Sequence, residues 1–430
     1  IAQCLVGSEM CIRDRDIFAH EILDSRGIPT IETEVYTDDG NVGRASVPAV
    51  TSPGQYEAHE LRDGDQTRYM GNGVLKAVKV VNEHLAEKLT GMNVIDQEAI
   101  DRKMISLDGT SNKSKLGSNA ILSVSLACAH AAANALGVGL YQYIGGIGGK
   151  KMPVPLVNVI SGGRHADNSL SFQEFMIAPI GAESFKQGLM WCAQVSHTLK
   201  ELLRDSGLSG SFSDVGGYVP NLSGDEEAIR LIVRAIQKSG YRTGEHFAVA
   251  IDAAAGEMYN EAKAVGEEGQ YYFWKQNRML TREDMVKMWN DYCRKYPILS
   301  IEDGMAEDDF EGWEVMTDKL GDKIKLVGDN LFVTDKLRLK KGLDLKIANS
   351  IIIKPNQIGT LTETLGTIEL AKTNGYTPII SNRSGETGDT TIADIAVAVN
   401  AKYIKAGALS RGESVQKYNR LLKIEEELRY

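Results

Sequence analysis

Short apolar runs of strand length recur through the second half of the chain, and polar stretches of helix length separate them. Six runs carry a charged or polar side chain at or near their end: FAVAID ends at Asp252, PILSIED contains Glu302, IKLVGD ends at Asp329, NSIIIK ends at Lys354, TPIISNRSG carries Arg383 and Ser384, and KYIKAG carries Lys405. Parallel strands that alternate with helices form α/β barrels, and the C-terminal ends of barrel strands meet at one mouth. The pattern therefore predicts a (β/α) barrel with these side chains at its mouth.

The first part of the chain has a different pattern. From about residue 16, DIFAHEILDSRG, IPTIETEVYT and NVGRASVPA alternate as short strands, and helical patterns follow near 74–89 and 118–136. The glycine-rich segment 144–155 is interpreted as a linker, because a phosphate loop would need a strand before it and a helix after it. We predict an N-terminal α+β domain over 16–143 and a C-terminal α/β barrel over 144–430.

The opening segment IAQCLVGSEMCIRDR does not fit the pattern of the domain that follows. It lacks the basic region and long apolar core of a signal peptide. We interpret residues 1–15 as an extraneous segment that resembles a translated sequencing adapter.

Composition narrows the class of partner. A net charge of −10 and a pI near 5.4 disfavour nucleic acid and anionic membranes, while a small anionic substrate needs only local basic groups. The five cysteines include no CxxC pair, which suits a reducing compartment and predicts a cytoplasmic protein. No apolar run reaches the roughly 18 residues of a membrane span.

The polar strand ends carry a definite chemistry. Asp252, Glu302 and Asp329 would repel one another at a single point, and three hard oxygen ligands suit Mg²⁺. The alternative is that each acid caps the helix after its strand. Lys354 and Lys405 face the same mouth, where a lysine with a lowered pKa can act as a base or, alternatively, each can pair with a carboxylate.

An anion site follows from the next strand. Arg383 and Ser384 offer a planar donor fork and a hydroxyl, which fit a phosphate or a carboxylate, although a surface arginine on a helix-start loop is the alternative. A metal, a lysine base and an anion fork together favour proton abstraction next to a carboxylate.

At this point the sequence resembles the enolase family, also called phosphopyruvate hydratase, over residues 16 to 428. The shared motifs are EILDSRGIPT, ELRDGD, LDGTSNKSKLGSNAILSVSLA, FQEFMIAP, SIEDG, NQIGTLTET, RSGET and KYNRLLKIEEEL. The resemblance implies an enolase-type (β/α)8 barrel whose first two strands precede two helices. It also implies a homodimer and Mg²⁺-dependent dehydration of 2-phosphoglycerate, a small phosphorylated carboxylate, to phosphoenolpyruvate.

The same resemblance implies a role for individual residues. It makes Lys354 the base, Lys405 the lysine beside the substrate carboxylate, and Glu174 a catalytic group next to Gln173 near the substrate hydroxyl. The remaining implied contacts are metal ligation by Asp252, Glu302, Asp329 and Ser52, phosphate binding by Arg383 and Ser384, and substrate binding by His165 of a closing loop.

Several positions depart from the family pattern. The family stretch GDEGG, whose glutamate is the general acid, reads SDVGG here, so that Val215 stands in its place. Asn382 replaces a histidine, Asn330 replaces an aspartate, and Arg164 adds charge to the loop of His165. In the first lid loop the family's SGAST reads AVTSP, residues 49–53, which we expect to be stiffer.

These departures leave three hypotheses. The first is an enolase in which Glu174 takes over protonation of the leaving group, with reduced activity. The second is an enolase-like lyase for a different phospho- or phosphono-glycerate. The third is a non-catalytic enolase-like binding protein, which the retained metal and lysine positions disfavour.

Overall fold

A computed structural model describes residues 12–50 and 54–429. The chain forms two compact units. The first contains the residues up to 150 together with 354–366 and 385–399, and the second contains 151–353, 367–384 and the residues from 400. The sequence did not predict that two late segments group with the N-terminal unit.

The first unit contains a three-stranded antiparallel sheet in the order β1-β2-β3 and a set of helices. Its elements before residue 150 are β1 (Asp14–Leu23), β2 (Pro29–Thr37), β3 (Val42–Ser46), α1 (Leu75–Lys79), a π-helical turn (Val80–Leu85), α2 (Ala86–Leu89), α3 (Gln97–Asp108), α4 (Ser118–Ala135) and α5 (Leu140–Gly145). The three predicted strands and both predicted helical regions are present. Strand β1 begins at Asp14, within the segment interpreted as extraneous.

Helix α4 is the core of this unit. Its small alanine side chains let it be buried along nearly its whole length, and the strand β3 approaches its backbone closely. A Cβ atom at Gly43 would lie 2.1 Å from both the carbonyl oxygen of Ala127 and the amide nitrogen of Ala131. Only glycine therefore permits this distance between strand and helix.

The second unit contains a nine-segment sheet in the order β4-β14-β13-β12-β11-β10-β7-β6-β5. The strands are β4 (Val154–Pro155), β5 (Val157–Ser161), β6 (Glu174–Ala178), β7 (Ala248–Asp252), β10 (Ile298–Glu302), β11 (Lys325–Gly328), β12 (Ser350–Ile353), β13 (Thr377–Ser381) and β14 (Tyr403–Lys405), and a separate hairpin is formed by β8 (Tyr271–Phe273) and β9 (Arg278–Leu280). Strand β6 runs antiparallel to β5 and β7, and the other pairs are parallel.

The sheet closes on itself through one residue. Leu156 separates β4 from β5 and donates its N–H to the carbonyl of Ile404 at 2.8 Å. Strands β4 and β5 therefore run as one strand that pairs with β14 on one side and with β6 on the other, which gives an eight-stranded barrel.

Helices follow most of the barrel strands, as the repeated strand-then-helix pattern predicted. They are α6 (Phe185–Asp205), α7 (Asp225–Lys238), α8 (Ala255–Ala264), α9 (Arg282–Lys295), α10 (Phe310–Leu320), α11 (Lys336–Leu345), α12 (Pro355–Ile358), α13 (Leu361–Thr373), α14 (Thr391–Ala398) and α15 (Gly412–Glu427). Helices α12 and α14 lie in the segments that group with the first unit. Two helices, α6 and α7, follow the first strands β5 and β6, as the family resemblance implied.

The barrel core is an apolar cluster contributed by most of the strands. Its buried members are Leu156, Met176, Ala178, Ala250, Val327, Ile352, Ile379 and Tyr403. Side chains along a strand point alternately to its two faces. Glu174 lies two residues from Met176 on β6, and Asp252 lies two residues from Ala250 on β7, so both acids point into the barrel interior at the end of this cluster. The apolar core thus carries a polar layer at the C-terminal ends of the parallel strands.

Among the residues that the structure describes, no single helix is long and apolar enough to cross a membrane, and Ser118–Ala135 passes only when joined to Leu140–Gly148 across a 95° bend.

We predict that Gly43→Ala destabilises the first unit by about 2–3 kcal/mol, because the added Cβ collides with the backbone of α4. Urea unfolding followed by circular dichroism measures the change. Gly210→Ala is the matched control, since a Cβ there meets no heavy atom within 4 Å. Equal stability of the two variants would contradict the close-approach argument.

Candidate active site

Strand direction brings three acids to one edge of the barrel. Asp252 and Glu302 are the last residues of the parallel strands β7 and β10 and are paired in register. Strand β6 runs the opposite way, so its first residue, Glu174, lies at the same edge and pairs in register with Asp252. All three side chains are buried. A row of carboxylates therefore spans three neighbouring strands.

Lys405, the last residue of β14, reaches all three of these carboxylates. Its Nζ lies 2.7 Å from Asp252 Oδ2, 2.9 Å from Glu302 Oε1 and 3.0 Å from Glu174 Oε2. Three charge-assisted contacts use the full donor capacity of an ammonium group. The arrangement is an ammonium-centred cluster of buried carboxylates, which we call the Lys405 cluster.

Electrostatics hold the Lys405 cluster in its charged form. Burial alone would lower the pKa of Lys405, but Asp252, Glu174 and Glu302 outweigh it and raise the pKa well above its usual range. Burial would raise the pKa of Glu174, but Lys405 and then His165 outweigh it and hold the pKa well below its usual range. Lys405 is thus an ammonium and Glu174 a carboxylate, which opposes the lowered pKa expected for Lys405 from its position alone.

The two acids of SIEDG have different tasks. Glu302 faces Lys405, whereas Asp303 has a left-handed backbone with φ of 42° and turns toward the next strand end. Its Oδ1 and Oδ2 accept the backbone N–H groups of Asp329 and Asn330 at 2.9 and 2.8 Å. Burial, followed by the nearby charge of Asp329, raises the pKa of Asp303 well above its usual range. Asp303 therefore fixes the loop that carries Asp329.

The remaining predicted residues follow their strands closely. Asp329 is buried directly after β11, and Arg383 and Ser384 come two and three residues after β13. Lys354 directly follows β12 and begins the segment that groups with the first unit, as the residue before α12. Ser52, predicted to bind a second metal ion, lies outside the described residues.

Gln173 and His165 come from the loop between β5 and β6. The N–H of Gln173 donates to the carbonyl of Asp252 at 2.9 Å, which fixes the entry into β6. His165 places Nδ1 3.4 Å from Glu174 Oε1, an electrostatic contact without hydrogen-bond geometry. His165 therefore contacts one oxygen of the Glu174 carboxylate, and Lys405 contacts the other oxygen.

Comparison with family models identifies the protein family. Residues 15–144 match the model described as the N-terminal domain of enolase, and residues 149–430 match the enolase C-terminal TIM barrel domain. The chain belongs to the enolase family. Enolases are lyases and are generally Mg²⁺-dependent, so the barrel edge with the Lys405 cluster is the candidate active site of an enolase-family lyase.

The donor chemistry of this site can be compared with what a metal requires. Asp252, Glu302 and Asp329 supply buried carboxylate oxygens at three adjacent strand ends, which is the donor type that Mg²⁺ prefers. In the present geometry the cation shared by Asp252 and Glu302 is the ammonium of Lys405. Within residues 12–50 and 54–429, no group of three or more His, Cys, Asp or Glu side chains is arranged to hold a metal ion. The three acids are thus of the donor type that suits Mg²⁺, and two of them, Asp252 and Glu302, contact an ammonium in this structure.

Two of the positions that depart from the enolase pattern, Val215 and Asn382, replace residues of the family with acid–base capacity, and both lie in the barrel unit. Val215 is half-buried in a tight turn in which Gly216 accepts a hydrogen bond from Ser410 Oγ at 2.6 Å. Asn382 donates its backbone N–H to the carbonyl of Lys405 at 2.8 Å. Neither side chain can transfer a proton at neutral pH, so both departures remove acid–base capacity.

Sequence reasoning missed the residues that support the site. Asp225 is buried and accepts the N–H groups of Ser171 and Phe172, just before Gln173. The tip of the β8–β9 hairpin contacts the same loop. These partners lie about 50 and 110 residues away along the chain, and no local pattern relates them. The sequence contained one indication of a supporting residue, the acid pair of SIEDG. Its second member, Asp303, holds the backbone of the loop that carries Asp329.

We predict that Lys405→Met destabilises the protein by about 3–5 kcal/mol, because three buried carboxylates lose the cation that they share. Added Mg²⁺ should restore part of the loss, since a divalent ion can take the place of the ammonium charge. Urea unfolding with and without MgCl₂ measures both effects.

Lys423→Met provides the control, because Lys423 is an exposed lysine on α15 and should change stability by less than about 0.5 kcal/mol. A Lys405→Met protein that gains no more from Mg²⁺ than this control would show that the carboxylates do not bind the ion.

Proposed function

We propose that this protein is a phosphopyruvate hydratase, which removes water from 2-phosphoglycerate to give phosphoenolpyruvate with the help of Mg²⁺. The observation that supports the proposal most strongly is the Lys405 cluster, in which Glu174, Asp252 and Glu302 meet one ammonium at the end of the barrel. The family membership supports the same reaction class.

The first step is removal of the proton from C2 of the substrate, and we assign it to Lys354. The substrate carboxylate lies next to this carbon, so the electron pair left behind delocalises onto the carboxylate. Asp252, Glu302 and Asp329 would hold Mg²⁺, which would supply positive charge to stabilise this carboxylate as its negative charge grows. Lys354 is assigned the base role because it matches the family's base position, whereas Lys405 contacts three carboxylates at 3.0 Å or less.

Binding of the substrate uses the remaining cations. We assign the substrate carboxylate to Lys405, whose position matches the family's lysine beside this group and whose pKa is raised well above its usual range by the surrounding carboxylates. Arg383 and Ser384 follow β13 at the same end of the barrel and supply a donor fork and a hydroxyl for the phosphate. In these assignments, the phosphate and the carboxylate of the substrate are both bound by residues of the second unit.

The second step is loss of the C3 hydroxyl. The C2 electron pair forms the C2–C3 double bond, the C3–O bond breaks, and the leaving oxygen takes up a proton to become water. In the family this proton comes from a glutamate at the position of Val215. Here Glu174, Gln173 and His165 remain on the leaving-group side. Because Lys405 keeps Glu174 ionised, Glu174 must first gain a proton before it can donate one. We therefore expect elimination to be slower than proton abstraction.

A second candidate function follows from the same observation. If the step at C3 cannot be completed with 2-phosphoglycerate, a phospho- or phosphono-glycerate with a better leaving group would be the substrate. Val215 and Asn382 favour this candidate, because both remove proton donors while the lysines and acids of the first step are retained. A role in binding without catalysis would require none of the buried charges of the Lys405 cluster.

We predict that, with Mg²⁺ in deuterated water, the protein exchanges the C2 proton of 2-phosphoglycerate for deuterium. It should form phosphoenolpyruvate at a lower rate than this exchange. Nuclear magnetic resonance measures deuterium at C2, and ultraviolet absorbance measures the product. Lys354→Met should slow exchange by about 10²-fold or more, because it removes the base.

Lys336→Met serves as the matched control, since this lysine is exposed at the start of α11. Exchange without product would favour the second candidate substrate, and Lys354→Met exchanging at the control rate would disprove the assignment of the base.

We also predict that Val215→Glu raises the rate of phosphoenolpyruvate formation by at least about tenfold, because it supplies a proton donor where the family has one. The C2 exchange rate should change much less. Val215→Gln introduces a side chain of the same size as glutamate but without an acid, and it should leave the rate of phosphoenolpyruvate formation low. An equal effect of both variants would indicate altered packing of the turn instead of restored acid catalysis.

A further inference from the structure

The loop between β5 and β6, residues 162–173, is closed by its own backbone hydrogen bonds. Gly162 donates to the carbonyl of Gln173 and Gly163 donates to that of Leu170, both at 3.0 Å, and His165 donates back to Gly162. A Cβ on Gly162 would lie 2.5 Å from Leu170 Cβ and from the carbonyl oxygen of Phe172, so the two arms touch. We call this segment the His165 loop.

Lys275 contacts the His165 loop directly. It lies at the tip of the hairpin formed by β8 and β9, and its Nζ donates to the carbonyls of Gly163 at 2.7 Å and Ala166 at 2.6 Å. These two carbonyls belong to the first residue of the short helical turn that carries His165 and to the residue that follows the turn. One ammonium therefore ties both ends of this turn, and it does so from an element 110 residues further along the chain.

Trp274, the neighbour of Lys275, holds the adjacent side chain of the loop. The guanidinium of Arg164 lies 4.6 Å from the centre of the Trp274 ring. Arg164 also donates from Nε to Glu257 Oε2 at 2.9 Å and from Nη2 to Glu261, both on helix α8. A stacked and doubly paired arginine has little freedom to rotate. The residue immediately before His165 is thus fixed on one side of the turn.

Gln276 completes the contacts through a buried acid. Its Nε2 donates to Asp225 Oδ2 at 2.7 Å, and Asp225 Oδ1 accepts the N–H groups of Ser171 and Phe172 at 2.9 and 3.0 Å. These amides lie in the returning arm of the His165 loop, just before Gln173 and Glu174. The hairpin tip Trp274–Gln276 therefore supports the outgoing arm directly and the returning arm through Asp225.

We propose that the hairpin tip Trp274–Gln276 is a positioning element that holds His165 against Glu174. The tip touches the loop at Arg164, at the Gly163 and Ala166 carbonyls and, through Asp225, at the approach to β6. No residue of the tip contacts Glu174 in the described structure, so the tip acts through the loop. The proposal rests on the proposed function only in that His165 and Glu174 act on the substrate.

The arrangement has a consequence for catalysis. A loop held from both arms keeps His165 near the leaving-group side before substrate binds, so less ordering is needed when substrate arrives. Loss of the tip should lower kcat through misplacement of His165 and affect KM less, because the proposed phosphate and carboxylate contacts lie on other strands. A residue that only stabilised the fold would lower the amount of active protein and leave both constants of the active fraction unchanged.

The decisive variant is Lys275→Met, which keeps an unbranched side chain one heavy atom shorter and removes its donors. We expect hydrogen–deuterium exchange of the amides in residues 162–166 to rise on the order of tenfold, with the strands of the barrel unchanged. The ring nitrogen resonances of His165 should shift, because its distance from Glu174 changes. The value of kcat should fall by up to about 10²-fold.

Two further variants complete the test. Lys275→Arg should restore slow exchange, the His165 resonances and kcat, because a guanidinium can donate to both carbonyls. Lys287→Met removes an exposed lysine from α9 and should change none of these quantities.

Unchanged exchange and unchanged His165 resonances in Lys275→Met would overturn the proposal, as would altered exchange with wild-type kcat. If the wild-type protein does not act on 2-phosphoglycerate, the proposed function fails, and the exchange and resonance measurements still decide whether the tip positions His165.

Discussion

The active-site end of the barrel depends on the burial of several negative charges around one positive charge. Glu174, Asp252 and Glu302 are buried carboxylates, and the ammonium of Lys405 contacts all three within 3.0 Å. An isolated buried carboxylate would be too costly, so the strands can present these acids together only because a cation lies among them. Two of these acids, Asp252 and Glu302, also belong to the set of carboxylates proposed to bind Mg²⁺, so the ammonium and the proposed metal share ligands.

Charge balance also assigns roles to residues of the same type. The carboxylates around Lys405 raise its pKa well above the usual range, which disfavours it as a base, and the proposed mechanism therefore assigns proton abstraction to Lys354. Glu174 remains ionised because of Lys405, which limits it as a proton donor. The strand-end acids and lysines of the enolase pattern are retained, whereas the position of the family's general acid is Val215. Both proposed substrates are consistent with this asymmetry.

The geometry of the site also depends on residues outside the Lys405 cluster. Asp303 fixes the backbone after β11, and Asp225 fixes the backbone before β6. The hairpin tip adds a cation–π contact and two hydrogen bonds to the turn that carries His165. Each contact satisfies a backbone or charged group of a loop, and loops need such partners because they lack the regular hydrogen bonds of strands.

The barrel, its strand ends and the acids and lysines at those ends could be predicted from the sequence, because the periods of strands and helices and the polar strand ends are local patterns. The sequence motifs also indicated the family. The sequence could not show that Asp303 turns away from Glu302, or that carboxylates surround Lys405, because both features depend on neighbours that folding brings together. The support of the His165 loop by Trp274, Lys275 and Gln276 was decided only by the tertiary structure. A contact between segments 110 residues apart leaves no periodic signal, and only the closed barrel brings the hairpin tip to the loop.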